Sequence, residues 1–364
     1  MGRHDTPAGP GPDADNATKQ RTMNKPETLR SRASGRVTLA EVAARAGVGT
    51  MTVSRVINQP ELVSAALRTR IEEAIAELGY IPNRAARALV SAQSKVIVVL
   101  VPSLSNAVFT DVLAGVQDAL GGDGYQILIG NTMYSDAEEE KLLGIYLQSN
   151  PDGVLLSGLT HSKQVTHMLA TSKLPVVSMM DLASEPDVMS VGFSQLEAGY
   201  TMTRYLIDKG YKRIGFMGAQ RDERTLKRAE GYRRAQRDAG LYDPRLEVMV
   251  GDPSSLALGS ELLGRMLSVT PDCDAIFCCN DDLAQGAIFQ CQRRGIAVPG
   301  RLAICGFNDL PVSAWMNPSV TTIATPRYRI GYEAAQLLRA VIQGEKPAVT
   351  RIDLGFTLMA RESA

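Results

Sequence analysis

Arg36-Val-Thr-Leu-Ala-Glu-Val-Ala-Ala-Arg-Ala-Gly-Val-Gly-Thr-Met-Thr-Val-Ser-Arg55 is the stretch whose reading decides the fold. Thr38 and Glu41 stand three residues apart ahead of an apolar run. This is the spacing of a capping box, in which Thr accepts from an orphan backbone N–H and Glu reaches back. Leu39, Val42, Ala43 and Ala46 then share one stripe of a short helix. Gly47 predicts a tight turn, and a second helix starts near Thr50 with Val53, Val56 and Ile57 inward. Two short helices across a glycine-bearing turn form a helix-turn-helix, whose second helix can enter the major groove of DNA. Thr50, Met51 and Arg55 face away from the apolar side, where base edges would be met. The competing reading is a small αα corner inside an enzyme.

A third amphipathic helix is predicted from Ser64 to Leu78, with Leu67, Ile71, Ala74, Ile75 and Leu78 inward and Gly79 as its C-cap. Tyr80-Ile-Pro-Asn-Arg84 and a short Ala-rich segment ending at Leu89 follow. These residues resemble the lactose-repressor (LacI/GalR) family of transcription factors. The resemblance rests on Val37-Thr-Leu, Val42-Ala, Ala46-Gly-Val48, Thr52-Val-Ser-Arg-Val-Ile-Asn58 and Gly79-Tyr-Ile-Pro-Asn-Arg-Ala-Ala-Arg-Ala-Leu89. It is nearly unbroken there and continues more loosely to the C-terminus.

Overall charge is zero, with 39 Lys/Arg and 39 Asp/Glu, so bulk basicity does not advertise nucleic acid. The distribution is more informative. Residues 1–94 carry 13 Lys/Arg against 9 Asp/Glu, and the remainder 26 against 30. A mildly basic head on an acidic body suits DNA docking by the head alone. Residues 1–35 are Pro, Gly, Asp, Asn, Thr, Ser and Arg with almost no large apolar side chain. They read as a disordered tail, or as an upstream start rather than a module.

Cys273, Cys278, Cys279, Cys291 and Cys305 lack the Cys-x-x-Cys or His spacing of a zinc site and read as buried small hydrophobes in a reducing compartment. His161 and His167 have no partners at metal spacing and are expected to be solvated. Neither a metal nor a cofactor is implied. No apolar run spans a membrane and no signal-peptide core opens the chain. A cytoplasmic, nucleoid-associated protein is the expectation.

From Lys95 the period changes. Val96-Ile-Val-Val-Leu-Val101 is a continuous apolar run, the mark of a strand buried on both faces of a parallel sheet. Further strands are predicted at Tyr125–Ile129, Gly153–Leu156, Pro175–Ser178, Val188–Val191, Arg213–Met217, Ala275–Cys279 and Leu302–Cys305. Amphipathic stretches separate them, giving two doubly wound α/β halves. The predicted architecture is an all-α helix-turn-helix head with a hinge helix, then a two-lobed α/β body. The resemblance implies a periplasmic-binding-protein-like body in which the chain crosses between lobes near residues 192–195, 320–325 and 350–355. The expected domains are a tail over 1–35, the head over 36–81, a hinge helix and linker over 82–93, and an effector-binding and dimerisation domain over 94–364. One lobe takes about 94–192 plus 325–350, and the other about 193–322 plus 351–360.

Polar loops at the carboxyl edges of such strands are where open α/β sheets bind ligands. They carry Asn106 and Phe109 after the first strand, Arg224 and Arg228 after Met217, Asn280 after Cys279 and Asn308 after Cys305. Arg224 and Arg228, four apart on one helical face, suit a carboxylate. Asn280 and Asn308 suit hydroxyls, and Phe109 or Phe193 would give an apolar wall. The resemblance implies effector contacts at Asn106, Phe109, Phe193, Arg228, Asn280 and Asn308. Asp281 and Asp282 are alternatively helix caps, the reading favoured for Asp282.

An enzyme is disfavoured. No G-x-G-x-x-G follows the first strand, and neither a P-loop nor a G-x-S-x-G elbow occurs. No catalytic residue is therefore named. A transport binding protein of the same fold would carry a signal peptide and lack the head. Pro102-Ser-Leu-Ser-Asn-Ala-Val-Phe109, Asp222-Glu-Arg-Thr225, Cys279-Asn-Asp-Asp-Leu-Ala284, Phe289-Gln-Cys-Gln-Arg293 and Leu354-Gly-Phe-Thr-Leu358 resemble the gluconate-operon repressor subgroup and its 2-ketogluconate-sensing relatives. Ser194 departs from the Asp that many members keep, and Gly306-Phe-Asn-Asp309 differs from the gluconate group.

The function expected is a homodimeric repressor of sugar-acid catabolism genes, released from a palindromic operator by a small sugar acid, gluconate first and 2-ketogluconate as the alternative. The DNA-contacting residues would be Thr38, Thr50, Met51, Thr52, Ser54, Arg55, Asn58, Tyr80, Asn83, Arg84, Ala86 and Leu89. By resemblance, Leu89 wedges into the minor groove from a hinge helix that two copies form together. Linker packing is the plainer role for Leu89. No leucine heptads follow the C-terminal Gly355-Phe-Thr-Leu358, which favours a dimer over a helix-bundled tetramer.

Overall fold

A computed structural model of the chain describes residues 37–81 and 93–364, in two compact units divided after Asn83. In the head, α1 (Leu39–Ala46), α2 (Thr50–Asn58) and α3 (Ala65–Leu78) surround Val42, Val53 and Ile71, all fully buried. Ala43, Ala46, Val56 and Ala74 complete this small core. Fully burying a side chain the size of Val42, Val53 or Ile71 contributes about 1.5–3 kcal/mol. The capping box forms: Glu41 N–H donates to Thr38 Oγ1, and Thr38 N–H donates to Glu41 Oε2 at 2.6 Å. Gly47, at φ +62, ends α1 in the left-handed conformation that a residue without Cβ adopts freely.

The body begins with β1 (Val96–Val101), α4 (Ala107–Leu120), β2 (Gln126–Asn131), α5 (Asp136–Leu147), β3 (Gly153–Ser157), α6 (Lys163–Ser172), β4 (Val176–Met179) and β5 (Ser190–Gly192). The second lobe follows: α7 (Gln195–Asp208), β6 (Ile214–Gly218), α8 (Glu223–Asp238), β7 (Glu247–Met249), α9 (Leu256–Val269), β8 (Ala275–Cys278), α10 (Asp281–Arg294) and β9 (Ala303–Cys305). The chain ends with β10 (Thr322–Ala324), α11 (Arg327–Ile342), β11 (Arg351–Asp353) and β12 (Thr357–Met359).

The first sheet has six parallel strands in the order β11-β5-β4-β3-β1-β2, and the second has four in the order β7-β6-β8-β9. Both are doubly wound, so their carboxyl edges are natural ligand edges. β10 and β12 pair antiparallel, and Thr321 and Ala324 bridge to Cys305 and Asn308. The chain thus passes between lobes after Gly192, after Ala324 and after Asp353.

The last crossing corrects an expectation. Residues 351–353 were assigned to the second lobe, but β11 runs parallel to β5 at the edge of the first sheet, with Arg351 opposite Ser190. The free edge of β5 supplies the partner, and Leu354 N–H donates to Gly192 O before the chain leaves. β7, β10 and β12, three residues each, lie outside every predicted strand. His161 is also corrected. It is half-buried, and its Nδ1 lies 3.0 Å from Glu139 Oε1.

All five cysteines are buried and free. Burial pushes Cys273 up to about 12 and Cys279 up to about 11, so they stay as unreactive thiols. Among the described residues no helix is long and apolar enough to cross a membrane.

Candidate functional site

The outer face of α2 carries the head's chemistry. Val53 and Val56 turn inward, leaving Thr50, Met51, Arg55 and Asn58 exposed, with Met51 at 76 %. An apolar side chain so exposed beside a guanidinium is the mixture that reads thymine methyls and guanine edges. Thr52 and Ser54 are half-buried on the flanks of this face. Asn58 Nδ2 donates to the Ser54 carbonyl at 2.9 Å, which orients the amide. Thr38 is exposed, but its hydroxyl serves the capping box, and Tyr80 packs against the head core. Asn83, Arg84, Ala86 and Leu89 lie outside the described residues.

In the body, a narrow cleft opens at the carboxyl edges of both sheets. Asn106, Val108, Phe109, Tyr134 and Met180 line it from the first lobe. Gln220, Asp222, Arg224, Thr225, Arg228, Asn280 and Asn308 line it from the second. Only about 20 Å³ is free inside, little more than one water occupies. A sugar-sized molecule is too large for the cleft at this width.

Several polar contacts bridge the lobes at this mouth. Arg224 Nη1 donates to Ser157 Oγ at 3.1 Å, Lys227 Nζ to Asp181 Oδ2 at 2.6 Å, and Thr160 Oγ1 to Glu223 Oε2 at 2.7 Å. The aromatic hinge lies behind them, with Phe193 6.2 Å from both Phe307 and Phe356. Phe193 is fully buried in that stack and is not a cleft-lining residue, so the expected apolar wall is Phe109 alone of the two.

The two arginines differ. Both project from α8, whose close contact with α7 depends on glycine: a Cβ at Gly231 would lie 2.1 Å from the Leu196 carbonyl oxygen. Arg224 already has an anion, Asp222 Oδ2 at 2.5 Å, and lies over Phe109 at 5.3 Å. Burial alone would lower the Arg224 pKa, but Asp222 raises it; reciprocally, burial is outweighed at Asp222, which Arg224 and the Thr225 N–H hold at about 2.

Arg228 has no such partner among the described residues. It donates from Nε to Gln195 Oε1 at 2.8 Å and from Nη1 to the Cys279 carbonyl at 2.7 Å and Asn280 Oδ1 at 3.0 Å. Its guanidinium lies 3.8 Å over the Phe307 ring. Burial without a directly bonded carboxylate lowers its pKa to about 10. A buried cation held only by neutral acceptors is stabilised by an incoming anion.

Asn106 also caps α4, accepting from Val108 N–H at 3.0 Å. Asp281 is not a ligand group. It accepts from the Leu310 N–H and the Ser313 and Thr322 hydroxyls, tying α10 to the β10 hinge. Ser194 caps α7 by accepting from Glu197 N–H, a role Asp fills equally, and it does not line the cleft.

Tyr134, Met180, Gln220 and Asp222 were not singled out, although the carboxyl-edge rule reaches each of them. Tyr134, Met180, Gln220 and Asn308 all have positive φ, from +57 to +106, so backbone strain gathers at this site. A larger, shallow groove of about 580 Å³ on the second lobe involves Arg221, Arg233, Arg237, Glu230 and Glu247. Arg233 pairs there with Glu247 and Arg237 with Glu230, and the remaining Arg221 is exposed to solvent and donates to the Met249 carbonyl, whereas the narrow cleft holds a buried cation bonded to no carboxylate among the described residues. The cleft is the better candidate.

Residues 38–83 match the model of bacterial regulatory proteins of the lacI family, and residues 94–361 match that of periplasmic binding proteins and the sugar binding domain of the LacI family. The chain belongs to the LacI family. Its head is thus a DNA-binding helix-turn-helix on a transcriptional regulator, and the enzyme reading is set aside. The HTH-type transcriptional regulator GntR of Pseudomonas aeruginosa is 47% identical over 333 residues, covering 92% of this chain and 97% of that protein. The crystal structure of the transcription regulator GntR from Chromobacterium violaceum shares 52% identity, covers 74% of this chain and 98% of its own, and superposes with a TM-score of 0.72. A LacI-family transcriptional regulator from Silicibacter pomeroyi, 35% identical, covers 90% of this chain and 99% of its own at a TM-score of 0.84.

Proposed function

We propose that this LacI-family regulator is a repressor of sugar-acid catabolism genes, released from a palindromic operator by gluconate. The observation that carries the effector reading is Arg228, a buried cation that bonds no carboxylate among the described residues and stands beside amides that suit hydroxyls. One carboxylate for Arg228 and several hydroxyls for Asn106, Asn280 and Asn308 describe a linear polyhydroxy acid. Similarity to regulators named GntR supports gluconate within that class.

On DNA, two heads of a homodimer occupy the half-sites of the palindrome. Arg55 pairs with guanine, while Met51 and the Thr50 methyl meet thymine methyls. Thr38, Thr52, Ser54, Asn58 and Tyr80 contact the backbone or groove edges. Asn83, Arg84, Ala86 and Leu89 form the hinge contacts, with Leu89 entering the minor groove. Trp315, 88% exposed, and Phe289 on α10 present apolar surface that a second copy would cover. The regulator works in the cytoplasm on the nucleoid.

Effector binding rotates the lobes and loosens the grip on DNA. Such coupling is reciprocal, commonly about 1–3 kcal/mol in either direction. The test is titration of a fluorescent palindromic duplex from the chain's own upstream region. Steep salt dependence and preference over a scrambled duplex support the reading, whereas equal affinity for both duplexes contradicts it.

A further inference from the structure

We propose that Asn308 is a specificity residue of the cleft, an acceptor set for a hydroxyl donor on the ligand and unfavourable to a carbonyl in the same place. This rests on the sugar-acid reading above and names which sugar acids the cleft prefers. The direction of the hydrogen bonds decides it. A guanidinium has donors only, so Arg228 Nη1, 3.0 Å from Asn280, must face that amide's oxygen. Asn308 meets the same oxygen at 3.2 Å and so presents its own Nδ2 there. Its Oδ1 is left facing away from Asn280. That oxygen is buried and accepts no hydrogen bond from any described residue. Flipping either amide does not help: one flip sets two oxygens together, and the other sets an NH2 against Arg228.

The backbone of Asn308 is fixed as firmly as its side chain. Its N–H donates to the Ile323 carbonyl at 2.9 Å. Its carbonyl accepts from Arg327, which also holds Asp111 at 2.8 Å. Its φ is +106, a conformation that L side chains rarely adopt and that these bonds maintain. Asn308 is only 3% exposed and lines the cleft. A ligand hydroxyl supplies the missing donor. A keto oxygen at that carbon brings lone pairs instead and leaves both acceptors unpaired, worth about ten- to a hundredfold in affinity.

Calorimetry on the full chain compares D-gluconate with 2-keto-D-gluconate and 5-keto-D-gluconate, then repeats the series on Asn308→Leu. The wild type is expected to bind at least one keto acid about ten- to a hundredfold more weakly than gluconate. In Asn308→Leu that gap should close to within about threefold, through loss of gluconate affinity. Operator binding by the variant reports its folding, and the wild-type comparison stands without it. If no keto acid binds more weakly than gluconate, or the gap survives in folded Asn308→Leu, the proposal fails and the sugar-acid reading remains. If none of the three acids binds, both fail.

Discussion

Replacing Arg228 with alanine separates recognition from folding, and the structure supplies the magnitudes. Removing the guanidinium leaves Gln195 Oε1 and the Cys279 carbonyl without this donor, at about 1–3 kcal/mol each. Asn280 Oδ1 keeps its bond from Asn308. Against that loss, burial holds the Arg228 pKa at about 10 rather than 12.5, so keeping the charge inside costs the folded state about 3 kcal/mol. The two effects offset to within about 3 kcal/mol, and the body should melt no more than about 10 °C lower. Binding has no such compensation. Truncating one partner of a buried charge pair costs about 2–5 kcal/mol, a loss of at least about thirtyfold. Calorimetry with gluconate, thermal melting and duplex titration on one preparation read all three quantities. The expected variant is folded, holds the operator within about threefold of wild type, and is no longer released by gluconate. Wild-type gluconate affinity in Arg228→Ala would refute the reasoning, as would loss of operator binding together with the response.

Arg55→Ala should weaken operator binding by about 1–3 kcal/mol and relax preference at one base pair of each half-site, measured with singly substituted duplexes. Thr38→Ala removes the N-cap of α1 and should cost the head about 1 kcal/mol, seen as earlier loss of helical ellipticity on heating. Asp281 gives a pH signature. Burial raises its pKa from 3.8 to about 6, so the folded state holds that proton more tightly than the unfolded chain. The resulting stability is fully present below about 3.8 and is lost as pH rises through about 6. Relative to Asp281→Asn, the wild type should lose about 2 kcal/mol between pH 4 and pH 7 in urea unfolding. Asp222, held at about 2, is present in both chains, so its own opposite pH dependence cancels from the comparison.

Residues whose period or spacing fixes a backbone were legible in the sequence. The capping box at Thr38 and Glu41, the apolar stripe through Val53 and Val56, and the run Val96–Val101 each imply one local structure and lie in it. Short strands were not legible. Arg351–Asp353 has no periodicity to read, and its lobe is set by the open edge of β5 far away in sequence. Within the cleft, polar loops after apolar strands located Asn106, Arg224, Arg228, Asn280 and Asn308. The same rule, extended to the loops after β2 and β4, reaches Tyr134 and Met180. Which arginine lacks an anion was out of reach, because Asp222 sits two residues before Arg224 and only geometry shows that it bonds Arg224 rather than Arg228. Phe193 was misplaced for a similar reason. Its position beside a crossing is readable, but its stacking on Phe307 and Phe356 depends on two other crossings folding against it.

The account stands on a ligand-governed grip on DNA. The most direct measurement is fluorescence anisotropy of the upstream palindromic duplex, first saturated with the full chain and then titrated with gluconate. Anisotropy is expected to fall toward the free-duplex value as gluconate rises, and the fall is expected to be absent in Arg228→Ala. A complex unchanged by gluconate and its keto acids at saturating concentration would contradict it.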